Sequence, residues 1–184
     1  DYLRKVAKDT DAQALMEWFN RDVVRVFRRH RAFDPEGIFI GDGSYLFVPD
    51  NPNYEGSVKM RFDEHNHPVS LEQYNQMTEA QKGRCRWRRC YKMVTLLHTN
   101  RLREFFLFVA VKVVSGKDHE CPVLYELVQQ FVEAVGPGVM KRLILDRGFL
   151  DGKAISLCKK QYGIDILIPI RRNMDLYGDA VALF

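Results

Sequence analysis

Two aspartates are placed where acids are costly. Asp42 lies inside the extended run from Ile38 to Val48, flanked by Gly41 and Gly43. Asp146 closes the run Leu143-Ile144-Leu145-Asp146 and is followed by Arg147-Gly148-Phe149. Both stretches read as buried strand. A lone ionised carboxylate there is unfavourable unless it is paired, hydrogen-bonded or bound to a cation. A shared divalent-metal site accounts for both acids at once. The local alternative is that each acid caps a turn through its own side chain. That alternative bears more on Asp146, which ends a strand next to a glycine-containing turn, than on Asp42, whose neighbours continue the strand.

Basic residues form the second chemical signal. The segment from Lys82 to Lys92 carries six Lys and Arg, two aromatics and no acid. Such a patch suits a phosphate backbone, and interleaved aromatics can stack on bases. Strand alternation puts Arg86 and Arg88 on one face and Trp87 and Arg89 on the other. Arg84, Arg86 and Arg88 are therefore expected to form an exposed positive surface for DNA, with a solvated basic strand entry as the bland alternative. The cluster Arg28-Arg29-His30-Arg31 ends a helix, where cations complement the dipole. Arg147 can touch a phosphate or be a plain turn arginine. His119 precedes an apolar helix and is a candidate for a supporting or DNA contact. His65, His67, Cys85 and Cys90 match no zinc-ligand spacing.

Composition bounds the rest. The chain has 184 residues, 46% apolar and 28% charged, with net charge +4. That is a globular composition. The longest wholly apolar run, Phe105 to Val111, is far too short to span a bilayer. The chain opens at Asp1 without a signal peptide and reads as a fragment. Its four cysteines form no Cys-x-x-Cys pair and read as reduced thiols of a cytosolic protein. No P-loop is present. The strand-end aspartate of a haloacid-dehalogenase phosphatase needs a second aspartate two positions on, where Ser44 stands here.

The elements follow from periodicity and stop signals. Thr10 and Gln13 fit a capping box that opens a helix ending near Phe33, with Leu15, Trp18, Phe19, Val23, Val26 and Phe27 on its apolar face. The first strand covers 37–48. Residues 49–84 lack a core-facing period and read as a loop or insertion outside the sheet, with one short helix near 71–81. Strands follow at 89–98 and 104–114. Asp118 can cap the next helix, which carries the stripe Val123, Leu124, Leu127, Val128, Phe131, Val132 and Val135. A fourth strand covers 140–145. Asp151 caps a helix that Gly163 stops, and a fifth strand covers 165–170. Asp175 and Asp179 fall in a glycine-containing tail and read as solvated. Three strands joined by short connections suggest an antiparallel meander, and the later strand–helix–strand units require parallel strands. The fold class is α/β: a mixed five-stranded sheet flanked by helices. Asp146 then lies at a carboxyl end of the sheet, where open α/β folds place their sites.

With Gly41-Asp42-Gly43-Ser44 on the first strand and Leu145-Asp146-Arg147-Gly148-Phe149 after the fourth, the chain resembles the ribonuclease H-like catalytic domain of DDE transposases, in particular those of bacterial insertion sequences. The resemblance covers roughly residues 37–170. It implies an N-terminal helical segment at 1–36 and a catalytic domain at 37–184, incomplete at its C-terminus. It implies DNA strand cleavage and strand transfer with two Mg²⁺ or Mn²⁺ ions, bridged by Asp42, with Asp146 holding one. The implied partners are transposon ends and target DNA, with a homodimer in the synaptic complex, in the cytosol and away from membranes. The family's third acid lies on a helix after the fifth strand, in a Tyr-x-x-Arg-x-x-x-Glu pattern with no counterpart here. The chain is therefore expected to stop before it. A non-enzymatic DNA-binding remnant of a transposase is the alternative.

Overall fold

Asp11 opens the first helix. Its side chain accepts from the Gln13 backbone N–H at 2.9 Å and caps α1 (Ala12–Trp18). The cap is one residue later than the Thr10 expected, since a carboxylate is the stronger acceptor for an orphan helix N–H. The helix continues through a π turn (Phe19–Val23) into α2 (Val24–Arg29). The turn's extra residue breaks the 3.6 period, so the buried face differs from the expected one. Asn20 and Val24 are buried, while Leu15, Trp18 and Val26 are exposed. The Asn20 amide donates to the Val111 carbonyl at 2.9 Å and accepts the Val111 N–H at 2.8 Å. The helix ends at His30, before Arg31 at φ 56°, earlier than Phe33. The computed structural model describes residues 5, 9–171, 174, 178, 181 and 182, so Asp175 and Asp179 lie outside the described residues.

The strands are β1 (Ile38–Val48), β2 (Val58–Phe62), β3 (Arg86–Thr99), β4 (Phe106–Ser115), β5 (Arg142–Ile144) and β6 (Asp165–Leu167). They form one mixed sheet in the order β2-β3-β1-β5-β6, with β4 also on β3. β1, β5 and β6 are parallel, and β2 and β3 are antiparallel. Among the described residues six strands replace the five expected, because residues 58–62 join the sheet. Val58, Met60 and Phe62 alternate with Lys59 and Arg61, a period too short to stand out in a polar segment. Burial decides it: Phe62 is fully enclosed, with the Tyr45 and Phe47 rings at 5.0 and 4.9 Å. The segment also holds α3 (Leu71–Gln76) and α4 (Glu79–Lys82), opened by capping boxes at Ser70/Gln73 and Thr78/Gln81.

Two compact units share these strands. The first comprises Asp1–Asp42, Val94–Lys112 and Glu120–Phe184; the second comprises Gly43–Met93 and Val113–His119. In the first unit, α5 (Glu120–Val135) buries Leu124, Leu127, Val128 and Phe131 in a core with Phe39, Leu96 and Leu143. Asp118, in the second unit, accepts from the Ser115 N–H at 3.0 Å and closes the turn after β4. Asp151 caps α6 (Gly152–Leu157) through the N–H groups of Lys153 and Ala154, and Gly163 at φ 69° ends the π turn that follows. No described helix is long and apolar enough to cross a membrane.

Candidate active site on β1 and after β5

The site is built from the start of β1. Gly37 has φ 63°, and a Cβ on it would lie 2.5 Å from the Val139 carbonyl oxygen, so only glycine fits. Its carbonyl accepts from Lys141 and Arg142 at 2.9 and 3.0 Å, bringing the chain before β5 alongside β1. His98 fixes the same start. It is fully buried against Phe39 at 4.6 Å between ring centroids. Its Nε2 accepts the Asp34 N–H at 2.8 Å, which leaves Nδ1 to donate to the Ile38 carbonyl at 2.9 Å. Burial lowers the His98 pKa and keeps the ring neutral.

The register then carries the two acids. Ile38 pairs with Arg142, Phe39 with Leu143 and Ile40 with Ile144. Two residues further along each chain, on the face of Ile40 and Ile144, stand Asp42 and Asp146. Gly41 points the other way, into the core, where a Cβ would meet Leu145 Cδ2 at 2.6 Å and Leu124 Cδ1 at 2.8 Å. Both acids are exposed, not buried as the strand pattern suggested. The reason is one-sided packing: α5 covers the Gly41 face, while Ile40, Ile144 and Phe106 line an open cleft of about 510 Å³ on the other. Burial cost therefore does not explain these carboxylates.

Asp146 also does the local work foreseen as its alternative. It caps the 3₁₀ turn Arg147–Phe149, with Oδ1 accepting the Gly148 N–H at 2.7 Å. The turn is clamped by Tyr125 of α5, whose hydroxyl donates to the Phe149 carbonyl at 2.8 Å. Burial raises the Tyr125 pKa, so the phenol stays a donor. Sequence reasoning missed Tyr125, which only tertiary packing brings to this turn. It also missed Glu120. A Cβ on Gly148 would lie 3.0 Å from Asp146 Oδ1 and 3.7 Å from Glu120 Oε1, so Glu120 lies beside the turn that Asp146 caps. The pattern His119-Glu120 at a helix start was the available signal.

Carboxylate oxygens are hard donors of the kind that suit Mg²⁺ or Mn²⁺. Among the described residues no group of three or more His, Cys, Asp or Glu side chains is placed to hold a metal, so water or substrate oxygens would have to complete its shell. The unused zinc candidates are engaged elsewhere: His67 bonds to Asp63, Cys85 lies against Met77, and Cys90 is buried.

The remaining candidates are dispersed. Arg147 is half-buried in the 3₁₀ turn, and His119 is exposed directly before α5. In the second unit, Arg84, Arg86, Trp87 and Arg88 line one cleft of about 490 Å³ together with Asp63 and Glu64. Arg84 pairs with Glu64 at 3.1 Å. Arg88 is half-buried, 3.3 Å over the Phe47 ring and bonded to Asn66 at 2.5 Å. Arg86 is exposed, and its side chain has no hydrogen bond or ion pair among the described residues. The basic surface is thus less uniform than alternation alone implied.

A family model described as the transposase DDE domain matches residues 27–182. No curated protein matches the chain, and no solved structure does.

Proposed function

Because this chain belongs to the transposase DDE domain family, we propose that it carries out the phosphoryl-transfer chemistry of DNA transposition, with Asp42 and Asp146 as its acidic centre. The observation that supports the reading is the parallel register of β1 and β5, whose last pair, Ile40 with Ile144, comes two residues before Asp42 and Asp146. Asp42 and Asp146 would hold Mg²⁺ or Mn²⁺, in keeping with the family's general use of divalent ions. A bound cation would polarise the phosphoryl group and lower the pKa of an attacking water or 3′-hydroxyl. In the reaction, that oxygen forms a bond to phosphorus as the bond to the leaving 3′-oxygen breaks.

The chain's own groups position the substrate. Oδ1 of Asp146 is committed to the Gly148 N–H, which orients the carboxylate. Arg147, next in the turn, supplies a guanidinium for a phosphate oxygen. His119 is assigned a supporting contact. Of the basic cleft Arg84, Arg86 and Arg88, Arg86 is assigned the main contact to the DNA backbone, where contacts position without reading sequence, with Arg84 and Arg88 held beside it by Glu64 and Asn66. The DNA partners would be transposon ends and target, engaged by a homodimer in the cytosol.

The test is strand cleavage of DNA bearing the element's ends in the presence of Mn²⁺. Cleavage should be lost in Asp42→Asn and in Asp146→Asn while DNA binding remains. Cleavage that survives both substitutions overturns the assignment. A wild-type protein that binds DNA and never cleaves it would be a binding remnant.

A further inference from the structure

Trp87 is 57% exposed, a large apolar surface left to solvent on the basic strand entry. It is also held in place. Arg61 of β2 is its direct cross-strand partner. The Arg61 guanidinium carbon lies 4.7 Å from the Trp87 ring centroid and 3.5 Å from that of Tyr74 in α3. Tyr74, Arg61 and Trp87 thus form a ladder of planar groups, each stabilised by a cation–π contact. The Arg61 side chain spends its charge on these rings, its guanidinium having no hydrogen bond or ion pair among the described residues. One face of the indole rests on Arg61, and its exposure belongs to the rest of the ring.

The cleft beside Trp87 has the matching charge. Its acids are already engaged: Glu64 pairs with Arg84, and Asp63 accepts from the backbone N–H groups of His65 and His67 at 2.9 and 2.8 Å. Arg88 is taken up by Phe47 and Asn66. Arg86 remains as an uncommitted guanidinium lining the same cleft as the pre-oriented ring, reached from the other face of the strand. A π face with an adjacent cation fits a nucleobase and its phosphate. Bases inside a duplex have no free face, so the ligand must be unpaired.

We propose that Trp87, backed by Arg61 and Tyr74, is a stacking platform for an unpaired DNA base, with Arg86 on the phosphate of that nucleotide. The proposal rests on the DNA-processing reading above and adds the strand state of the substrate at this unit: single-stranded or locally opened DNA.

The chain has two tryptophans, Trp18 and Trp87. In a Trp18→Phe background, Trp87 is the sole indole reporter. Titration with a short oligothymidylate should quench its emission, while a base-less deoxyribose-phosphate oligomer of equal length should not. Trp87→Ala should weaken oligothymidylate binding by about fivefold or more, a larger loss than for a hairpin duplex, and Trp87→Phe should restore most of it. Arg86→Ala should lower the salt slope of single-strand binding by about one unit. Equal binding of the base-less oligomer, or equal losses for single strand and duplex, overturns the platform. Loss of binding in Trp87→Ala that Trp87→Phe does not restore also overturns it. Acid-dependent cleavage of DNA with no single-strand preference sinks this proposal alone; absence of any DNA binding sinks the functional reading with it.

Discussion

Gly41 packs so closely on Leu145 that a Cβ at its position would lie 2.6 Å from Leu145 Cδ2. Leu124 closes the same space from α5, with methyl groups at 2.8 and 2.9 Å. Both leucines are buried in the core and cannot swing aside freely. Gly41→Ala should therefore destabilise the fold by roughly 1–3 kcal/mol through overpacking. Urea unfolding measures this as a lower midpoint at unchanged slope. An unchanged or higher midpoint would mean that the core yields at this point.

His98 makes stability depend on pH. Burial depresses its folded pKa below the ordinary 6.5, and protonation would set a donor against the Asp34 N–H that Nε2 accepts. The unfolded chain then binds the proton more readily, so this contribution is full above about pH 6.5 and is lost as pH falls from there through the folded pKa. The urea midpoint should drop between neutral pH and pH 5.5. His98→Gln should be less stable throughout and show a flatter profile over that range. A wild-type midpoint that holds steady would show that the ring is protonated without cost.

Metal binding should be weak. Two carboxylates with one oxygen already committed are a thin ligand set, and Mg²⁺ gives up water reluctantly. Mn²⁺ titration followed by electron paramagnetic resonance should give a dissociation constant on the order of millimolar, removed by Asp42→Asn. Tight binding that persists in this variant would place the cation elsewhere.

The three cleft arginines should not contribute equally to DNA binding. Arg84 and Arg88 already have protein partners, whereas Arg86 has none among the described residues. Arg86→Ala alone should reduce the salt slope for DNA by about one unit, with little added by Arg84→Ala and Arg88→Ala. A slope unchanged in the triple variant would return this cleft to a solvated basic face.

Local chemistry determined much of this protein in advance. The helical stripe of Leu124, Leu127, Val128 and Phe131, the Asp151 cap and the Gly163 stop need only near neighbours, and the folded chain keeps them. The parallel arrangement of β5 and β6 followed from strand–helix–strand order, whereas the place of β1 beside β5 was decided by tertiary pairing. Other features depend on contacts distant in sequence. A π turn rotated the first helix and brought Asn20, not Trp18, to the inside, pinned by the Val111 backbone. Residues 58–62 became a strand because Phe62 finds Tyr45 and Phe47. The exposure of both acids, the Tyr125 clamp on the Asp146 turn and the Tyr74–Arg61–Trp87 ladder were decided by tertiary packing. Periodicity says which residues share a face of one element; which faces become covered depends on the elements that pack there.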